Sequence, residues 1–100
     1  MRKSMKIYRN RATKFHPSIE INSNEQTWQN LEVTQSPTKK NRYIKLKQNI
    51  DPESSKKSYV RKYLRNDPIR TRGQLLSRFH LSEEDLQQIE DYLMSRNKKS

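Results

Sequence analysis

The sequence predicts an α+β fold: a small antiparallel meander of three or so strands over residues 15–50, followed by C-terminal helices over 51–97. Three observations predict it. From Phe15 to Ile50, apolar and polar residues alternate with period two, as in strands buried on one face. From Asp51 to Asn66, apolar residues recur at i, i+4, pairing Tyr59 with Tyr63 and Val60 with Leu64. From Ser82 to Arg96, a capped pattern sets Leu86, Ile89 and Leu93 on one helical face.

Residues 1–14 carry Arg2, Lys3, Lys6, Arg9, Arg11 and Lys14 among few apolar groups. They read as a flexible basic arm with some order near Ile7 and Tyr8, either a solvated tail or a phosphate-contacting segment. In "HPSIEINS", Ile19 and Ile21 face one way and Ser18, Glu20 and Asn22 the other, with Pro17 at the strand start where a missing N–H is tolerated. "NSNEQ" (22–26) is a polar turn. In "TWQNLEVTQ" (27–35), Leu31 and Val33 share a face; Trp28 is out of phase with them and implies a bulge or a separate packing role. After the turn "SPTKKN", "RYIKLKQNI" (42–50) sets Ile44 and Leu46 against Tyr43, Lys45 and Lys47.

Asp51 can cap a helix over about 52–66, with Pro52 and Glu53 suited to its first turn. A strand through 59–64 is the alternative, since Tyr and Val favour sheets. Thr71 and Gln74 have capping-box spacing for a helix over 72–79, in which Gly73 permits close backbone approach. Ser82 caps the helix over 83–96: Glu83, Glu84 and Asp85 fill its first turn, and Leu81 and Leu86 form a hydrophobic staple. The expected core packs Leu86, Ile89 and Leu93 against Leu75, Leu76, Phe79 and the sheet residues Ile19, Ile21, Val33, Ile44 and Leu46. Residues 15–100 form a single domain.

The net charge of +11 divides into +8 over residues 1–50, +5 over 51–80 and −2 over 81–100. Such an excess suits nucleic acid first, and an acidic protein partner second. No apolar run approaches the ~18 residues of a membrane span, so no membrane partner is expected. There is no cysteine, which excludes disulfides and thiolate metal sites. No secretory leader is legible, and a cytoplasmic location is the expectation. No cofactor motif is present, and neither His16 nor His80 stands in a catalytic pattern, so a non-enzymatic protein is expected. So small a core allows a homodimer. The candidate nucleic-acid-binding residues are Arg9, Arg11, Lys39, Lys40, Arg42, Tyr43, Lys45, Lys47, Lys57, Arg61, Arg65, Arg70 and Arg72. Cations replace phosphate counterions, and the interleaved Tyr8, Tyr43, Tyr59 and Tyr63 offer faces on which bases stack.

Two local patterns resemble known families. Residues 71–94 resemble a helix-turn-helix: a leucine-bearing segment, an aromatic residue, a Leu-Ser turn, then Leu86, Ile89 and Leu93. The resemblance implies a second helix that reads a DNA groove. Glu83, Glu84 and Asp85 would meet phosphates there, so a hairpin closing the core with an acidic outer face is the alternative. "FHPSIEI", a turn and "LEVTQSP" resemble the opening strands of MazF/PemK-type toxins, which implies an SH3-like barrel that cleaves RNA. His16-Pro17 stands where an Arg-Pro pair is common, and no catalytic arginine is identifiable. The favoured expectation is a small accessory or regulatory protein, such as one of a mobile element, that binds the phosphate backbone. The alternatives are a protein-interaction module, such as an inhibitor of a nucleic-acid enzyme, and a MazF-like ribonuclease.

Overall fold

The computed structural model describes residues 4–97. Within them lie seven strands, β1 Ile7–Asn10, β2 His16–Ser23, β3 Thr27–Thr34, β4 Tyr43–Lys45, β5 Tyr59–Arg61, β6 Arg65–Pro68 and β7 Arg72–Leu75, and one α-helix, α1 Glu83–Asn97. Short 3-10 turns occupy Arg11–Thr13, Lys40–Arg42 and Ile69–Thr71. The predicted three-strand meander with several helices is therefore corrected to a seven-stranded antiparallel sheet with a single C-terminal helix.

β2 and β3 form where the alternation places them. Ile7 in β1 pairs with Ile19, and Ile19 pairs with Leu31, so the apolar positions of three neighbouring strands share one face. The connecting turn is held by the Asn24 carboxamide oxygen, which accepts the amides of Gln26 and Thr27, both at 2.8 Å. The register shifts between Glu20 and Asn22, so the bulge lies in β2, opposite the strand that carries Trp28. Trp28 itself simply faces the other side of the sheet from Leu31.

The predicted helix over 52–66 is absent. Its N-terminal signal survives as one turn: Asp51 accepts the Glu53 amide at 3.0 Å through its side chain and the Ser54 amide at 3.1 Å through its carbonyl. The turn does not propagate, because Lys57, Arg61 and Arg65 would stack like charges at i, i+4. Val60 gains more in a strand, between Val33 of β3 and Ile44 of β4, where it is fully buried. The predicted helix over 72–79 is likewise replaced by β7, which pairs with β1. Thr71 is no cap: its hydroxyl donates to the Pro68 carbonyl at 2.6 Å and accepts from the Trp28 indole at 3.0 Å. Without that first helix there is no helix-turn-helix. Part of the expected flexible arm is also structural, since β1 lies between β2 and β7. Arg2 and Lys3 fall outside the described residues.

The pairing order β6-β3-β2-β1-β7 forces the sheet to curl. Four interstrand gaps of ~4.8 Å would hold β6 and β7 ~19 Å apart in a flat sheet. The chain from Pro68 to Arg72 is four residue steps, a reach of ~14 Å at full extension. The five strands must therefore bend into an open barrel. Contacts that skip β2 identify the concave face: Asn10 in β1 donates to Asn30 in β3 at 3.1 Å, and the rings of Tyr8 and Trp28 meet edge-on at 6.0 Å.

The opposite face carries the apolar core. Ile7, Ile19, Leu31, Val33, Val60 and Ile44 are covered by Leu81, Leu86 and Ile89, with Leu46 and Ile50 closing the side. Ile21, Leu76, Phe79 and Leu93 pack at its margin, whereas Leu75, expected in the core, is exposed. α1 begins as its sequence dictates: the Ser82 hydroxyl accepts the Asp85 amide at 3.2 Å. Asp85 is fully buried and has a second task, its carboxylate accepting the amides of Lys47 and Gln48 at 2.8 and 3.1 Å. Among the described residues, no helix is long and apolar enough to cross a membrane.

Candidate nucleic-acid interface

Strand parity builds the site. On the β4–β5 hairpin, Ile44 and Val60 point into the core, so their neighbours point outward. Tyr43 stands directly opposite Arg61, and Lys45 directly opposite Tyr59. Directly opposed side chains have Cβ atoms ~5 Å apart, so cations and phenol rings alternate on one surface. Past the strand ends the surface continues: the Lys62 amide donates to the Arg42 carbonyl at 2.8 Å, and the Arg61 guanidinium lies 5.4 Å from the Tyr63 ring centroid. Tyr63 is 55% exposed. Asn41, Arg42, Arg61, Lys62 and Tyr63 enclose a cleft of about 380 Å³.

Of the predicted site residues, Arg42, Tyr43, Lys45 and Arg61 come together here. Lys39 precedes the Lys40–Arg42 turn, and its carbonyl accepts the Arg42 amide. The Lys40 side chain lies outside the described part of the structure. Lys57 is exposed just before β5. The remainder are elsewhere. Lys47 pairs with Glu84 at 3.3 Å beside α1. Arg70 is exposed on the turn between β6 and β7. Arg11 is exposed on the β1–β2 connection, where the half-buried Arg9 donates to the Phe15 carbonyl at 3.2 Å.

Two predicted cations hold the barrel together and leave the candidate surface. Arg72 pairs with Glu20 and lies 4.8 Å from the centroid of the Tyr8 ring. Arg65 grips both oxygens of Asp67, at 3.0 Å each, on the concave face. The Asp67 carboxylate also accepts from Asn10 at 3.2 Å and from Asn30 at 3.0 Å. Burial raises the Asp67 pKa, but the hydrogen bonds from Arg65, Asn30 and Asn10 and the Arg65 charge outweigh it, leaving the carboxyl below its ordinary value. The hydrogen bond to Asp67 in turn raises the Arg65 guanidinium.

Glu32 connects the hairpin to the mouth of the barrel. Its carboxylate lies 3.8 Å from Arg61 and 3.6 Å from the His16 ring nitrogen. On the expected helix Tyr59 and Tyr63, four residues apart, would share one face and suit the core as well as a ligand surface; in the structure Lys62 and the exposed Tyr63 join the cleft beside Arg61. Reading 59–61 as a strand would have aligned Tyr59 and Arg61 with Lys45 and Tyr43. Among the described residues, no group of three or more His, Asp or Glu side chains could hold a metal ion. The chain matches no protein-family model, no curated protein and no solved structure.

Proposed function

We propose that the chain binds nucleic acid on the outer face of the β4–β5 hairpin, with cations on phosphates and tyrosine rings against bases. One observation carries this reading: the cross-strand pairs Tyr43–Arg61 and Lys45–Tyr59, on a surface whose apolar counterparts are all spent in the core. Phosphate neutralisation releases counterions, and stacking holds bases with little regard to sequence. A role as an accessory or regulatory binder follows from the same surface. The acidic outer face of α1 would repel phosphates and lies outside the site. The test is a salt-titrated binding assay with RNA and DNA, single-stranded and duplex. Affinity falls linearly with salt on a double-logarithmic scale, and Lys45→Glu weakens it; binding that persists unchanged into high salt sinks the reading.

A second reading, RNA cleavage, is favoured by Glu32 standing between His16 and Arg61. A carboxylate and an imidazole can exchange protons with a ribose hydroxyl and a leaving oxygen, while a guanidinium steadies the phosphate. RNA incubated with the protein would then end in cyclic phosphates, and His16→Ala would abolish the reaction. Intact RNA leaves binding alone.

A further inference from the structure

The β1–β2 connection holds a bulky residue in a backbone conformation it ordinarily avoids. Lys14 and Phe15 both have positive φ, 55° and 66°. For Phe this is a steric outlier that persists only when its surroundings impose it. The surroundings here are identifiable. The Asn10 carbonyl accepts the Phe15 amide at 2.8 Å and the Thr13 hydroxyl at 3.3 Å, and the Asn10 side chain accepts the Ala12 amide at 2.9 Å. Asn10 is fully buried and locked to Asn30 and Asp67. The barrel's polar interior thus clamps the loop, and the strained residue is not hidden: Phe15 is 59% exposed.

Beside this ring runs a groove of about 480 Å³. That volume lies within the range of sites for single small ligands. Pro17, Val33, Ile50 and Phe79 supply its apolar lining, Arg9 and Lys14 supply two cations, and Asp51, whose carboxylate accepts the Glu53 amide, supplies one opposing charge. Thr34, Gln35 and Ser36 add hydrogen-bonding groups along β3 and just beyond it. The groove also adjoins the hairpin surface. Thr34 pairs with Tyr59, and His16, which lines the groove, shares Glu32 with Arg61.

We propose that this groove seats one unpaired base of a single strand, stacked on Phe15, while Arg9 and Lys14 meet its flanking phosphates. The inference rests on the hairpin reading and deepens it. The hairpin supplies sequence-tolerant backbone binding, and the groove makes the protein select single strands over duplex, because a paired base cannot leave its stack without breaking its pair. The strain at Phe15 is the device that presents the ring already in place, so little ordering remains for binding to do.

The test is fluorescence anisotropy of the full chain with a labelled single strand and its duplex, each prepared as RNA and as DNA. Phe15→Ala weakens single-strand binding roughly ten-fold, the loss expected for one stacked base, and leaves duplex binding unchanged. Phe15→Trp restores it. A strand scanned with abasic residues loses wild-type affinity by a similar factor at the seated position, a readout that does not depend on any variant folding. A ribose preference assigns the seat to RNA; equal affinity assigns it to either single strand. The inference fails if Phe15→Ala binds the single strand like wild type, or loses both forms equally, or if abasic scanning is flat. If Arg61→Glu weakens binding in those cases, the hairpin reading stands alone. If the wild type binds neither form at low salt, both readings fall.

Discussion

At the residue scale, the buried polar groups are the most exacting feature of the molecule. The Asp67 carboxylate takes four donated hydrogen bonds from Arg65, Asn30 and Asn10. Asp67→Ala strands a half-buried guanidinium and two buried carboxamides, and should destabilise the fold by about 3 kcal/mol in urea titration. The carboxyl is held below its ordinary value in the fold, so the unfolded chain binds that proton more readily. This contribution is complete above the unfolded value of ~4 and is lost as pH falls through the folded one. Asp67→Asn should therefore flatten the acid limb of the stability curve below about pH 4. Gly73 answers to a different constraint. A Cβ there would meet the Arg9 carbonyl oxygen at 2.9 Å, against a backbone that cannot swing away. Gly73→Ala should cost about 1–3 kcal/mol by overpacking, read as a lowered denaturation midpoint. The sequence places Gly73 in the first turn of a helix, where it would merely permit close approach; the requirement arises from strand β1, its neighbour in the sheet.

At the element scale, α1 and the hairpin divide the labour. α1 is a closing element: Leu86 and Ile89 seal the core, and Asp85 caps the strand-exit amides of Lys47 and Gln48. Ser82→Ala should lower stability by about 1 kcal/mol, by thermal unfolding, while leaving nucleic-acid affinity intact. The hairpin is the proposed binding element. Lys45→Glu combined with Tyr43→Ala should lower affinity and flatten its salt dependence while the chain still melts cooperatively, since both side chains sit on the outer face, whereas Arg61 is also paired with Glu32. The helix over 83–96 was legible because its cap, staple and apolar stripe all lie within one short segment. The segment 51–67, where the sequence allows a helix or a strand through 59–64, is settled by the converse reason. Its local signals, Asp51-Pro52 and the i, i+4 pairs, favour a turn and a helix, but Val60 finds better burial between Val33 and Ile44, distant in the chain.

At the scale of the whole molecule, closure depends on the ends of the sheet path. β1 is bonded on both edges, to β2 and to β7, so residues 7–10 are no dispensable tail. A chain shortened to begin at Arg11 should fail to fold, with loss of cooperative melting, whereas removal of a free arm would only trim charge. Curling the barrel also sets the face that carries Trp28, Asn10 and Asn30 inward, and leaves the hairpin extending beyond it as an open surface. The candidate interface is thus an extension of the barrel's concave face, with Glu32 at the junction.

The sequence by itself determined the alternating strands β2 and β3, the start of β4, the capped helix α1 and the strongly basic character. All of these are encoded by neighbours within one turn or one strand, where periodicity and capping act. Only the tertiary structure decided that 59–61, 65–68 and 72–75 are strands, that 7–10 is paired on both edges, and that Arg65 and Arg72 pair with Asp67 and Glu20. Each of those outcomes turns on a partner far away in the chain: a β-strand's hydrogen bonds and half of its burial come from another strand, and no local pattern names which one.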